Sequence, residues 1–238
     1  MIWRVALLAV FFASRAAAVA PDPAVPQRGP GDAVGALVWL HPSYAGDQPP
    51  PAPPWTARLV AAGWYVWRMD RAGPGDPLDA GAQRLAAGRA ALRALGYRRV
   101  LLAGDSRSAF IALRALAVPG VADAVVLTAP AAHGRSEARS PQALADFSAA
   151  MNATAVGGVA RIALVLFADD AWDPDPVERA GMFRAGVARM GIVGLLIDRP
   201  GAPRGHEAGA SAAFDALFGA CLAAFIDPDR VPAASCPQ

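Results

Sequence analysis

Lysine is missing from this sequence. All 22 basic residues are arginine, and alanine, glycine and proline are abundant. That pattern fits the codon bias of a GC-rich genome better than a functional choice. An excess of one charge is also missing: the net charge is +2 and 18% of residues are charged. Electrostatic nucleic-acid binding therefore has no basis. The two cysteines, Cys221 and Cys236, lack CxxC spacing, which argues against a redox or zinc motif. The three histidines are dispersed and no HExxH occurs, so no metal site is expected. Neither GxGxxG nor GxxxxGK[ST] follows the first apolar run, so the nucleotide-binding fingerprints are missing too. No cofactor is expected.

What is present is a globular composition. The 238 residues are 55% hydrophobic, enough for one packed domain. The N-terminus reads as a signal peptide over residues 1–18: Arg4 gives a positive start, Val5 to Ala13 is apolar, and small residues then offer a cleavage site after Ala18. The apolar run is short for a bilayer span and Arg15 interrupts it. The expected location is therefore the periplasm or the exterior, with no stable membrane insertion after cleavage. An uncleaved anchor, carrying a scaffold or interaction protein, is the rival. In an oxidising compartment Cys221 and Cys236 are expected to form a disulfide that staples the tail to the last helix. Residues 19–34 read as a Pro-rich linker, and residues 35–238 as the domain itself.

Within that domain, short apolar runs alternate with helical periodicity. Strands are expected at Ala36–His41, Trp64–Asp70, Arg98–Gly104, Ala122–Pro130, Arg161–Ala168 and Gly194–Pro200. Helices are expected between them, and a closing helix over Ala210–Ile226. Strands that are apolar throughout are buried on both faces. The expected fold is α/β, a mostly parallel sheet of about six or more strands with helices on both sides. In such sheets ligands bind beyond the carboxyl ends of the strands.

Gly104-Asp105-Ser106-Arg107-Ser108 occupies one such end, between a strand and a helix. Ser106 there is open to two readings. It is a helix N-cap, or a nucleophile on a tight turn whose neighbours two residues before and after must be small. The pentapeptide resembles the nucleophile elbow, GxSxG, of the α/β-hydrolase superfamily, with Ser108 departing from the second glycine. The resemblance extends over Gly35 to Ile226 through the order of elements.

The resemblance implies a three-layer fold and a triad in the order Ser, acid, His. His206 falls in the Gly-rich loop after the last strand, where the superfamily carries its base. The acid belongs after the preceding strand, where Asp169, Asp170, Asp173 and Asp175 cluster. Asp173 is favoured, Asp170 is the nearest rival, and the others read as turn formers or helix caps. The oxyanion hole would use the backbone N–H of Arg107 and a donor after the first expected strand. Pro42 has no N–H, so that donor is Ser43, or else Tyr44. His41 reads as a loop-former, His133 as a solvated loop residue with pocket lining as its alternative, and Trp172 as the best substrate contact.

The resemblance implies a cofactor-free serine hydrolase, carboxylesterase-like, whose partner is a small-molecule ester or acyl substrate. A thioesterase or peptidase is the alternative within that chemistry. A non-catalytic binding protein on the same scaffold is the alternative outside it.

Overall fold

The computed structural model describes residues 18–43, 49–71, 75–135, 139–232 and 235–236. The signal segment, apart from Ala18, and Tyr44 lie outside the described residues. Seven strands form one sheet: β1 (Ala20–Pro21), β2 (Ala36–Leu40), β3 (Tyr65–Arg68), β4 (Val100–Asp105), β5 (Ala124–Thr128), β6 (Arg161–Leu166) and β7 (Val193–Asp198). Their spatial order is β1-β3-β2-β4-β5-β6-β7. From β3 to β7 every neighbouring pair is parallel. Only β1 runs antiparallel, against β3. The mostly parallel sheet with helices on both faces agrees with the expectation.

β2, β4, β5 and β6 are buried on both faces because the bodies of these strands are apolar on both faces. In β2, Ala36, Val38 and Leu40 join one core cluster, while Leu37 and Trp39 join the other. The same alternation runs through β4, β5 and β6. The first core is covered by α2 (Leu78–Leu95), α3 (Arg107–Ala115), α4 (Ser140–Ala153) and α5 (Pro176–Met190). The second is covered by α1 (Thr56–Ala61), α6 (Ala212–Phe214) and α7 (Ala220–Ile226). α4 contributes Phe147, Ala150 and Met151 to the first core.

Two details depart from the sequence reading. Part of the expected linker is packed: Val19 is buried, β1 pairs with β3, and the amide of Asp22 donates to the carbonyl of Val66. Two paired residues are too few to give a periodicity, so β1 left no signal. The closing helix is also interrupted. A π turn, Asp215–Gly219, lies between α6 and α7. There Arg58 Nε donates to Asp215 Oδ1 at 2.6 Å and Nη2 to Oδ2 at 3.1 Å. A side chain at Gly219 would collide with this pair.

Cys221 and Cys236 form a disulfide, as expected, across a sequence separation of 15. It ties the tail to α7. Among the described residues no helix is long and apolar enough to cross a membrane. Closing a loop of this size is worth about 3 kcal/mol in the chain-entropy model. Replacing both cysteines by serine is expected to lower the unfolding free energy by about 2–3 kcal/mol in urea titrations under oxidising conditions. Equal stability of the two proteins would mean that the bond does not hold the tail.

Candidate active site

β2 and β4 are adjacent, with Leu40 opposite Gly104, so the loops at 41–43 and 105–107 leave the sheet side by side. The loop after β6 emerges two strands beyond β4, and the loop after β7 at the sheet edge. Non-glycine residues with positive φ gather at these carboxyl ends. They are Ser106 (56°), Ala129 (43°), Asp169 (59°) and Arg199 (53°). Such conformations cost of order 1–3 kcal/mol each and persist only where surrounding structure imposes them.

At Ser106 the imposing structure is visible. Its N–H donates to Thr128 O at 3.0 Å, and its carbonyl accepts from Ala109 and Ala131 at 3.1 and 3.2 Å. A Cβ on Gly104 would lie 2.5 Å from the carbonyl oxygen of Ser108, so no other residue fits there. Ser108 itself is accommodated. Its hydroxyl is fully buried and donates to His41 O at 2.5 Å. Ser106 occupies the position before α3 but makes no side-chain capping bond, which removes the N-cap reading.

The Ser106 hydroxyl meets His206 instead, with Oγ to Nε2 at 2.9 Å. The other ring nitrogen, Nδ1, lies 2.9 Å from both carboxylate oxygens of Asp170. A negative carboxylate accepts, so Nδ1 carries the proton and Nε2 is left to accept from Ser106. The Asp170 side chain is 1% exposed and its Oδ1 also accepts from the Trp172 amide at 2.8 Å. These bonds fix the carboxylate against rotation.

The carboxylate at His206 therefore belongs to Asp170, where the sequence favoured Asp173. Asp173 faces α5: its Oδ2 lies 3.4 Å from Arg179 Nη1. The physical reason is where the strand stops. β6 ends at Leu166, two residues before the apolar run ends at Ala168. Counting from the end of the apolar run overshoots to Asp173. Asp169 pairs with Arg204 at 2.9 Å. Asp175 precedes α5 without capping it.

Arg107 opens α3, where a first-turn N–H has no helical acceptor. Among the described residues neither its N–H nor that of Ser43 meets an acceptor. His41 is buried. Its Nε2 accepts from the Arg71 amide at 3.3 Å and its Nδ1 lies 2.8 Å from Pro42 O. Burial pushes its pKa down, which suits a neutral loop-former. His133 departs from the solvated-loop reading. Its side chain is 15% exposed, Nε2 lies 2.8 Å from Asp146 Oδ2, and its ring meets Phe110 edge-on. Trp172 stands beside His206, ring centroids 5.6 Å apart, and the Arg135 guanidinium carbon lies 4.6 Å from the centroid of its ring. An open groove of about 500 Å³ runs along this wall, past Pro203, His206, Ala208 and Ser211.

Sequence reasoning passed over Asp105, the residue before Ser106. Its carboxyl is buried and Oδ1 has no hydrogen-bond partner among the described residues. Burial pushes its pKa up to about 7, opposed by His206 and by a hydrogen bond from the Ser106 backbone. The signal was present: a carboxylate ending an otherwise apolar strand.

No family model and no curated protein matches the chain. Solved structures do. It is similar to a puromycin-hydrolyzing peptidase from Mycobacterium tuberculosis at 15% identity and a TM-score of 0.62. That match covers 87% of this chain but 37% of the peptidase, so the chain spans little more than a third of that protein. It is similar to Est1E from Butyrivibrio proteoclasticus at 14% identity and a TM-score of 0.56, over 87% of this chain and 91% of that one. A third is an acetyl ester-xyloside bifunctional hydrolase from Caldicellulosiruptor lactoaceticus, at 15% identity and 0.57, over 84% and 82%. The chain has the α/β-hydrolase fold.

Asp105 generates a pH dependence whose sign follows from its raised pKa. Between the unfolded value of 3.8 and the folded value of about 7, the folded protein holds a proton that the unfolded chain has released. Stability contributed at this position therefore falls as pH rises through that window. Asp105→Asn is expected to flatten the decline and to be more stable than wild type at pH 8, by on the order of 1–3 kcal/mol. Guanidinium titrations at pH 4, 6 and 8 test this; parallel profiles for the two proteins would refute it.

Proposed function

We propose that this chain is a serine hydrolase of carboxylic esters and related acyl bonds, with Ser106 as nucleophile, His206 as base and Asp170 as the supporting acid. The observation that carries the reading is the unbroken line Ser106 Oγ, His206, Asp170, with both hydrogen bonds at 2.9 Å on a serine held at positive φ. The fold supports it without fixing the chemistry.

In this reading Nε2 of His206 takes the hydroxyl proton as Ser106 Oγ attacks the carbonyl carbon. The carbon becomes tetrahedral and its oxygen negative. The free N–H groups of Arg107 and Ser43 would receive that charge. The imidazolium, stabilised by Asp170, then donates its proton to the leaving oxygen, and the carbon–oxygen bond breaks. Water repeats the cycle on the acyl-enzyme and releases the acid. Trp172 forms the wall that a bound substrate would lie against. The disulfide suits an oxidising compartment, and we place the protein outside the cytoplasm on that basis.

The test is labelling by a fluorophosphonate together with turnover of a panel of p-nitrophenyl esters and thioesters. Wild type is expected to label and turn over; Ser106→Ala is expected to keep its fold and do neither. Asp170→Asn is expected to lower kcat by about 10³–10⁴-fold, because an amide no longer fixes the tautomer or stabilises the imidazolium. Asp173→Asn is expected to lower stability far more than kcat, since it leaves Arg179 buried without its carboxylate. An unlabelled wild type would favour the binding-protein alternative. Equal kcat losses in the two asparagine variants would return the assignment of the acid to doubt.

A further inference from the structure

Beyond the triad, one carboxylate stands between the two proposed oxyanion donors. Asp76 lies just before α2, and its side chain is 6% exposed. Its Oδ1 accepts from Arg71 Nε at 3.0 Å and Nη2 at 2.5 Å. The Arg71 side chain, 2% exposed, reaches onward: Nη1 donates to Ser43 Oγ at 2.7 Å. On the other side, the backbone carbonyl of Asp76 accepts from Arg107 Nη2 at 2.6 Å and Nε at 3.2 Å. Arg107 Nη1 continues to Ala132 O at 2.9 Å, in the loop after β5.

We propose that Asp76 is a positioning residue that sets the oxyanion hole, holding Ser43 through Arg71 and Arg107 through its own carbonyl. The inference rests on the serine-hydrolase reading and deepens it. Among the described residues Pro42 and Ser43 have no ladder partner beyond β2, and the Ser43 side chain is exposed. Among the described residues, the loop at 41–43 is held at His41 by Ser108 Oγ and the Arg71 amide, and at Ser43 by the Arg71 guanidinium. Arg71 thus grips the loop twice, from its backbone and from its side chain, and Asp76 holds the guanidinium in place. A charged pair with little exposure keeps its geometry only while both partners are present.

An oxyanion hole acts on charge that exists only in the transition state. Loosening it therefore lowers kcat and leaves ground-state binding alone. The test compares wild type, Asp76→Asn and Ser43→Ala on one p-nitrophenyl ester, with a trifluoromethyl ketone as a second readout. Ser106 Oγ adds to the ketone carbon, its proton passes to His206, and the carbonyl oxygen becomes the anion in the hole. Asp76→Asn is expected to lower kcat about 10–100-fold and to weaken the ketone by a similar factor, with KM within about threefold. Ser43→Ala removes an exposed hydroxyl and keeps the N–H. It is expected to lower kcat by a smaller factor, about three- to tenfold, and serves if Asp76→Asn does not fold.

Unchanged kcat and ketone affinity in both variants would overturn the positioning role while wild-type turnover left the triad reading standing. A rise in KM matching the loss in kcat/KM would also overturn it. A wild type that neither turns over the ester nor labels with a fluorophosphonate would overturn the underlying reading as well.

Discussion

Gly104 packs directly against the carbonyl of Ser108, and the rest of the site's arrangement depends on that contact. There is no room for a Cβ between them. Because β4 can pass so near the first turn of α3, the chain reverses within one residue, and that residue, Ser106, is forced to positive φ. The hydroxyl then stands clear of the sheet edge, where a histidine from the loop after β7 reaches it. The small-residue rule of the elbow is asymmetric in this chain. Position 104 has no space for a side chain. Position 108 has space on one side, and its hydroxyl uses it to bind the His41 carbonyl. Serine there does what glycine could not, linking the elbow to the loop that carries Ser43.

The carboxyl edge of the sheet is also where the chain concentrates unfavourable features. His41, Asp105, Ser108, Thr128, Asp170, Asp173 and Arg179 are all buried there or just beyond it. Four strained backbone positions share the edge. Each desolvated charge and each positive φ costs stability locally. The two apolar cores on either side of the sheet offset that cost, and the central strands β4 and β5 carry no polar residue until their last positions. The separation is spatial: packing along the strand bodies, chemistry at their ends.

That separation explains which parts were legible in the sequence. Strand bodies are apolar runs, so β2 to β7 and their succession along the chain could be read from pattern, while their spatial order in the sheet could not. The loop residues Ser106 and His206 could be found because few alternatives existed: one small-flanked serine after a strand, and two histidines after it. β1 could not be read, since two residues carry no period. Nor could the choice among four aspartates. It turned on β6 stopping at Leu166 while apolar character ran on to Ala168, a difference decided by sheet pairing and not by composition. Arg71 and Asp76 were silent for another reason. An arginine and an aspartate five residues apart in a turn-rich loop look like solvated surface until folding covers them.

Asp173 shows that an aspartate left out of the triad is not idle. Arg179 is among the largest fully buried side chains, packed by Phe110 and Phe147 with ring centroids 5.9 and 5.3 Å from its guanidinium carbon. It also donates to the carbonyl of Pro130. Burial pushes the Asp173 carboxyl up and the Arg179 guanidinium down, as expected when both lose water. Their proximity offsets part of that cost and ties α5 to the loop after β6. One loop thus divides its carboxylates by counter-charge, Asp173 to a buried guanidinium and Asp170 to an imidazole. Exchanging the two is not possible without moving α5, because Arg179 is held by the aromatic rings on one side and by a backbone carbonyl on the other. The identity of the carboxylate beside His206 is therefore fixed as much by the packing of Arg179 as by the path of the loop.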